Sequence, residues 1–278
     1  MTTLVIGARG AVGRHVLDGL QAARVPVRAS VRDLAKADFA PGIDVVQADL
    51  TRPETLAAAL DGVKQVFLYA EPHGATAFGK AARAAGVERV VLLSSGSVLL
   101  PWATSNPITV EHRMTEDLLS TSGPELVPIR PLVLANNALN WASSIRSRRT
   151  VSLVHPGSVS APIHERDIAA VAVAALSGAD PQEVSALLTG AEPLTLREQV
   201  ALIAEELDES IAVEELDERR AREMFGVGEP EIVDAILHFV RRGTAADGWF
   251  RTATAERVLG RPPVPYAEWA RDHVAAFR

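Results

Sequence analysis

The residues best placed to do chemistry form one run near the start of the chain, Gly7-Ala8-Arg9-Gly10-Ala11-Val12-Gly13. It follows the apolar stretch Leu4-Val5-Ile6 and leads into an amphipathic segment of helical length. Glycines at such a strand-to-helix turn let a phosphate approach backbone N–H groups that a side chain would shield. The helix that starts there adds unpaired donors and a partial positive charge. The spacing is G-x-x-G-x-x-G, not the G-x-G-x-x-G of the common dinucleotide fingerprint. Three glycines in seven residues also suit a plain turn. The strand before and the helix after favour a bound dinucleotide, with Gly13 letting helix and sheet lie close.

Two further positions bear on the nucleotide. An acidic residue about 20–25 residues past the turn would hold a ribose 2′-hydroxyl and repel a 2′-phosphate. Here the run is Arg28-Ala29-Ser30-Val31-Arg32-Asp33, with Arg32 at the expected place. A guanidinium pairs with a phosphate through two parallel hydrogen bonds, and Arg9 can reach the same group. The reading is therefore NADP(H), with NAD(H) the less favoured cofactor. The alternative is that Arg32 only stacks on adenine while Asp33 caps a helix. Asp49-Leu50 follows the third strand. Asp49 suits the adenine amino group, or equally a cap for the helix near Pro53.

These groups need a scaffold that delivers strand ends to one edge. Short apolar runs at Leu4–Ile6, Val27–Val31, Val45–Val46, Val66–Leu68, Val90–Leu93 and Leu126–Ile129 alternate with helical segments. Those helices are read over Ala11–Ala23, Pro53–Leu60, Ala75–Ala85 and Val110–Ser122. Strands that are wholly apolar and separated by helices imply a parallel sheet covered on both faces. Right-handed crossovers then give an α/β, Rossmann doubly wound parallel sheet. After about Pro131 the pattern becomes mixed and more helical. A helix is expected over Asn136–Arg146, strands at Val151–Val154, Val184–Leu188 and Ile211–Val213, and helices at Arg166–Leu176, Thr195–Leu207, Asp217–Phe225 and Glu229–Arg242. Thr195 with Glu198 reads as a capping box. We expect an NAD(P)-binding domain over 1–150. Residues 151–278 are expected to form a smaller, mostly helical, substrate-covering lobe with some sheet-completing segments.

Composition narrows the classes. The 278 residues are 47% hydrophobic with a formal net charge of -7, which argues against a nucleic-acid binder. Arg146, Arg148 and Arg149 are close together but read as a solvated helix end. No cysteine is present, so disulfides and thiolate metal sites are excluded. No run reaches 18 apolar residues and no basic leader precedes the first strand, so the expectation is a cytoplasmic protein with no membrane partner. No metal site is expected either: His112 and Glu116 share a helix face, but no third ligand is identifiable.

Gly7–Gly13, Val31-Arg32-Asp33, Ala48-Asp49-Leu50, Leu93-Ser94-Ser95 and Arg130-Pro131 occur in an order that resembles the NmrA-like group of atypical short-chain dehydrogenase/reductases. His112-Arg113-Met114-Thr115-Glu116, Ser122-Gly123 and Asn137 resemble its quinone oxidoreductase type 2 and azoreductase branch, and Ala267-Glu268-Trp269-Ala270 resembles its closing helix. The resemblance implies that Tyr69, Ala70 and Glu71 run along the cofactor and that Ser94 and Ser95 face the nicotinamide. The plain alternative is that the serines only satisfy backbone groups at the strand end.

One departure stands out. The Tyr-x-x-x-Lys pair of typical short-chain reductases is absent: Tyr69 and Tyr266 have no lysine four residues later, and the lysines are Lys36, Lys64 and Lys80. His112 stands in about the turn where related reductases carry lysine. It suits ribose orientation or proton donation near neutral pH, or simply a helix surface. Asn137, Trp141 and Trp102 are candidate substrate contacts, though tryptophans near such loops often only pack. Asp167 reads as a cap or anchor for its helix. Hydride delivery to a quinone gives a stabilised anion that water can protonate. The expected activity is therefore NADPH-dependent reduction of a small quinone-like or conjugated carbonyl substrate. A non-catalytic NADP(H)-binding redox-sensing regulator is the alternative, and a sugar-nucleotide epimerase ranks last. Reductases of this fold are often dimers, so a homodimer is carried as an expectation.

Overall fold

A computed structural model describes residues 1–225, 230–245 and 251–278. Neighbouring residues of each central strand are buried on opposite sides of the sheet. Leu4, Val66, Leu68, Val90 and Leu92 enter one core, whereas Val5, Phe67 and Val91 enter the other. That is the period of two expected when a sheet is covered on both faces. The strands are β1 (Thr2–Val5), β2 (Val27–Val31), β3 (Asp44–Gln47), β4 (Val63–Tyr69), β5 (Arg89–Leu93) and β6 (Glu125–Pro131). Chain order resumes with β7 (Thr150–Val154), β8 (Val159–Ser160) and β9 (Leu187–Leu188). The central sheet runs β3-β2-β1-β4-β5-β6-β9 and is parallel throughout. The order reverses direction beside β1, so the carboxyl ends of β1 and β4 flank the topological switch point where ligands bind in such sheets.

Helix α1 (Gly13–Ala22) covers one face. On the other lie α2 (Leu56–Leu60), α3 (Pro72–Ala84) and α4 (Pro107–Ser120). Several bounds differ from the sequence reading for local reasons. The Pro53 segment opens as a 3-10 turn, Pro53–Thr55, before α2. Helix α4 begins three residues before Val110, because the Asn106 side chain accepts from Ile108 N and Pro107 takes the first helical position. Between Ala135 and Trp141 the chain is a 3-10 helix, followed by α5 (Ala142–Arg148). The strand expected over Val184–Leu188 shrinks to Leu187–Leu188, since Asp180 caps a helical turn, α7 (Pro181–Val184).

Past residue 150 the chain serves two cores. Helix α6 (Glu165–Leu176) returns to the central sheet and packs along α1, and β9 extends the sheet edge. The rest forms a smaller, mostly helical lobe. It comprises β10 (Leu194–Thr195), α8 (Leu196–Leu207), β11 (Ala212–Leu216), α9 (Glu218–Phe225), α10 (Pro230–Arg242) and α12 (Tyr266–Phe277), whereas α11 (Thr254–Leu259) packs back onto the sheet core through Ala255. Strand β11 pairs in parallel with β7, and β10 with β8 in antiparallel. The capping box at Thr195 and Glu198 is formed. Trp269 and Phe277 of α12 fill the lobe core with Ile145, Val200 and Ile203. The helix read from Glu229 begins at Pro230 within the described residues.

A fully buried carboxylate joins the two parts. Asp167 of α6 accepts from Arg261 Nη2 at 2.7 Å and from the Val264 backbone N–H at 2.6 Å. It therefore anchors the segment leading into α12, not only its own helix. Asp167→Ala removes both acceptors and strands a backbone N–H, so a loss of about 2–3 kcal/mol is expected. Thermal and urea unfolding of the variant measure it.

Candidate cofactor and acceptor site

The phosphate turn has no room for side chains. A Cβ on Gly13 would stand 2.1 Å from Gly7 O, and one on Gly10 would stand 3.1 Å from the same atom. Gly7 has φ +79°, a left-handed conformation that L side chains rarely adopt, and the Tyr69 ring lies against it. Gly10 N donates to Gly7 O at 2.8 Å and Arg14 N to Gly10 O at 3.1 Å, which fixes the turn. No side chain caps α1 and no acidic residue stands in its first turn. Its amino terminus is thus ready for an anion. Val12 is in the core, so only its backbone can serve a ligand, as with half-exposed Ala11 at the mouth of the turn.

The end of β2 is cationic. Arg9 Nη1 donates to Lys36 O at 2.8 Å, which brings the turn's own arginine against the 3-10 segment Leu34–Lys36. Asp33 is committed to capping that segment, accepting from Ala35 N at 3.0 Å, with Lys36 Nζ 3.8 Å from its other oxygen. Arg32 is exposed beside it, and Gln47 Nε2 holds its carbonyl at 2.8 Å. Arg9, Arg32 and Lys36 are the cations at this strand end that could hold a 2′-phosphate. Lys36 escaped the sequence reading because nothing in the spacing showed that Arg9 folds back onto its carbonyl.

Arg32, Asp49, Tyr69 and Glu71 feel one another's charge across the ends of β2, β3 and β4. Asp49 Oδ1 accepts from Thr51 Oγ1 at 2.8 Å and Thr51 N at 3.0 Å, and these bonds hold its carboxyl below the ordinary range. Burial pushes the Tyr69 phenol up, so Tyr69 stays neutral. Glu71 caps α3, accepting from His73 N at 3.2 Å, and Ala70 N donates to Leu93 O. Leu50, like Val12, offers a ligand only its backbone. Its side chain lies in the core, and α3 approaches so closely that a Cβ on Gly74 would be 2.4 Å from Leu50 O.

The acceptor side departs further from expectation. Ser94 spends its hydroxyl proton within the protein. It donates to Glu116 Oε1 at 2.6 Å, and Glu116 takes two bonds from Arg130, at 3.0 and 2.5 Å. This partly buried network ties the carboxyl ends of β5 and β6 to α4. Ser95 shares a 2.9 Å hydrogen bond with Ser97 and caps the 3-10 turn Gly96–Leu99. His112 Nδ1 lies 2.9 Å from Ile108 O. That contact assigns the ring proton to Nδ1 in the neutral form and leaves Nε2 as an acceptor. Trp102 meets His238 and Phe239 edge-on at 5.6 Å, with the Arg242 guanidinium 5.5 Å over its ring. It therefore hooks α10 onto the sheet domain. Trp141 is half-buried on the lobe core, and Asn137 is exposed in the turn before it.

Beside α1 lies a group that the sequence did not reveal as one. Glu165 is 1% exposed, with Trp269 Nε1 3.1 Å from Oε2 and His273 Nε2 2.7 Å from Oε1. His164 was visible only as one histidine in the run before Asp167. His273 stands 108 residues after Glu165, and no spacing rule links them.

Family comparison fits this geometry. A family model described as NAD(P)H-binding matches residues 7–179. This chain belongs to the NAD(P)H-binding family. It is 34% identical over 286 residues, 99% of the chain and 98% of the relative, to a (4-alkanoyl-5-oxo-2,5-dihydrofuran-3-yl)methyl phosphate reductase of Streptomyces griseus. It is 32% identical over the same span to an NAD(P)H azoreductase of Xenophilus azovorans. Among solved structures, the NADPH complex of the quinone oxidoreductase QOR2 from Escherichia coli superposes with TM-score 0.78. The two are 26% identical, and the match covers 97% of this chain and 99% of that one. The chain is an NAD(P)H-dependent oxidoreductase of this family, and the regulator reading gives way to an enzymatic one. Among the described residues no helix is long and apolar enough to cross a membrane.

Gly13→Ala tests the turn directly. Its Cβ must displace the Gly7 carbonyl, so NADPH affinity should fall by about a hundredfold or more. Quenching or energy-transfer titration of the protein's tryptophans with NADPH reads this.

Proposed function

We propose that this chain is an NADPH-dependent reductase that delivers hydride to a small, flat, conjugated acceptor of the quinone type. The bound nicotinamide supplies the hydride. The chain holds the diphosphate on the amides of the Gly7–Gly13 turn, the 2′-phosphate on Arg9, Arg32 and Lys36, and the adenosine beside Asp49. One observation carries the choice of acceptor: the chain has no Tyr-x-x-x-Lys pair, and the side chains expected in its place each hydrogen-bond within the protein. Ser94 donates to Glu116, Ser95 pairs with Ser97, and His112 spends its ring proton on Ile108 O. A simple ketone needs a protein acid to protonate the alkoxide as it forms. A conjugated acceptor spreads the incoming charge over its ring and takes its proton from water. The balance is one hydride from the coenzyme and one proton from solvent per acceptor reduced.

The phosphorylated coenzyme is favoured because three cations stand at the end of β2, while the acidic residue there, Asp33, is engaged as a cap and paired with Lys36. The division of labour belongs to the same proposal. Residues 1–150 bind nucleotide and 151–278 cover the acceptor, with α6 and β9 lent back to the sheet. So do a cytoplasmic setting and a homodimeric assembly.

Steady-state assays with a panel of quinones, azo dyes and simple ketones test the acceptor. Quinones or azo dyes should be reduced and ketones should not; NADPH oxidation on ketones alone would overturn the reading. Arg9→Ala and Arg32→Ala should each reduce the preference for NADPH over NADH by about tenfold or more, the strength of a charge-assisted hydrogen bond. Parallel titration with both coenzymes measures it.

A further inference from the structure

Glu165 sits at the first position of α6, and α6 runs alongside α1 with the two amino termini close together. An ionised carboxylate at 1% exposure would cost several kcal/mol if unpaired, so its partners define what it does. His273 Nε2 lies 2.7 Å from Oε1, His164 Nδ1 3.3 Å from Oε2, and Trp269 Nε1 3.1 Å from Oε2. The fourth neighbour is Arg14, whose Nη2 is 3.7 Å from Oε1. Arg14 is half-exposed and is the second residue of α1, directly after the glycine turn. Arg14 is thus next in sequence to the glycine turn whose amides suit a diphosphate, with its guanidinium beside the buried carboxylate.

We propose that Arg14 is a ligand for the diphosphate of NADP(H), shared with Glu165, and that His273 of the closing helix sets the share by neutralising Glu165. Arg14 is the binding residue; Glu165 and His273 are positioning residues that act through it. The inference rests on the cofactor reading above and adds a side-chain contact, Arg14, to the backbone amides of the turn, governed by His273 from the far end of the chain.

The charges around His273 give a sign. Glu165 and His164 face it from α6, Arg14 from α1, and Trp269 stacks on its ring from within α12. Its neighbour Asp272 is engaged by Arg166 and His164. Arg146 of α5 reaches Ala276 O, and Glu206 of α8 pairs with Arg271, so neither meets His273. The turn Ala135–Trp141 carries no titratable side chain. His15 of α1 is pushed down by burial and then by Arg14. Burial opposes the charge on His273, but the Glu165 carboxylate outweighs it and raises the imidazole above its ordinary 6.5. Burial likewise opposes the charge on Glu165, yet the imidazoles of His164 and His273 beside it hold its carboxyl well below the ordinary range. While His273 is protonated, Glu165 is neutralised and Arg14 is available to the phosphate. As pH rises through the raised value, the imidazolium is lost, Glu165 claims Arg14, and the coenzyme is held more weakly.

The experiment is an NADPH titration of the intact protein from about pH 6 to about pH 9, across the range of a raised histidine. The wild-type Kd should rise about three- to tenfold over that range. Arg14→Gln should weaken binding about tenfold at the low end and flatten the profile. Glu165→Gln should be flat near the tight limit, and His273→Gln flat near the weak limit. Arg271→Gln, on the outer face of α12, should keep the wild-type profile. The coenzyme's own phosphate titrates equally for every variant and cancels in the comparison. Wild-type affinity in Arg14→Gln, or an unchanged pH slope in it, overturns the proposal. Because Arg14 is half-exposed, that variant decides the matter even if the buried variants fail to fold. A wild type that binds no NADPH at any pH overturns the cofactor reading itself, and this inference with it.

Discussion

Gly13 stands so close to Gly7 O that a single methyl group would overlap it. Much of the rest follows from that contact. It draws the first turn of α1 onto the carboxyl end of β1, and so points uncapped N–H groups at the switch point of the sheet. The same approach places Arg14 beside the turn and Val16 and Leu17 in the core, so binding and packing share one helix. Tyr69 closes the turn from β4, and Arg9 reaches from it to the segment after β2. The phosphate end of the site is a rigid product of backbone geometry.

The acceptor end is built differently. Its polar side chains hold the scaffold together: Ser94, Glu116 and Arg130 bind β5 and β6 to α4, and Ser95 and Ser97 close the turn that follows. Paired polar groups of this kind rigidify a site, and Ser94 spends its proton on Glu116. A reductase with such an end needs an acceptor that stabilises its own charge. Hence the loss of Tyr-x-x-x-Lys and the commitment of the serines lead to the same substrate class. The lobe reaches this end through packing, with α10 hooked on Trp102 by two aromatic rings and a guanidinium.

The two parts are joined by acids of α6 that face away from the sheet. Asp167 takes Arg261 and the Val264 amide, and Glu165 takes His273 and Trp269. Removing such a partner leaves a buried charge or amide unsatisfied, which is why these contacts fix the lobe more firmly than surface ion pairs do. Arg271 with Glu206, on the outer face, belongs to the weaker kind.

The sequence by itself determined what depends on local backbone rules. The Gly7–Gly13 turn, the alternation of apolar strands with helices, the capping box at Thr195 and the cationic end of β2 were all legible, because each is written within a few residues. So was the missing tyrosine–lysine pair. Tertiary structure alone decided which side chains are free to meet a ligand. Ser94, Leu50 and Trp102 have suitable types at suitable places, yet packing turned them toward Glu116, the core and α10. It also decided which distant groups meet: His273 reaches Glu165, and Val264 reaches Asp167, across about a hundred residues. No periodicity or spacing encodes such a contact, since it exists only once the lobe has closed on the sheet and excluded water between them.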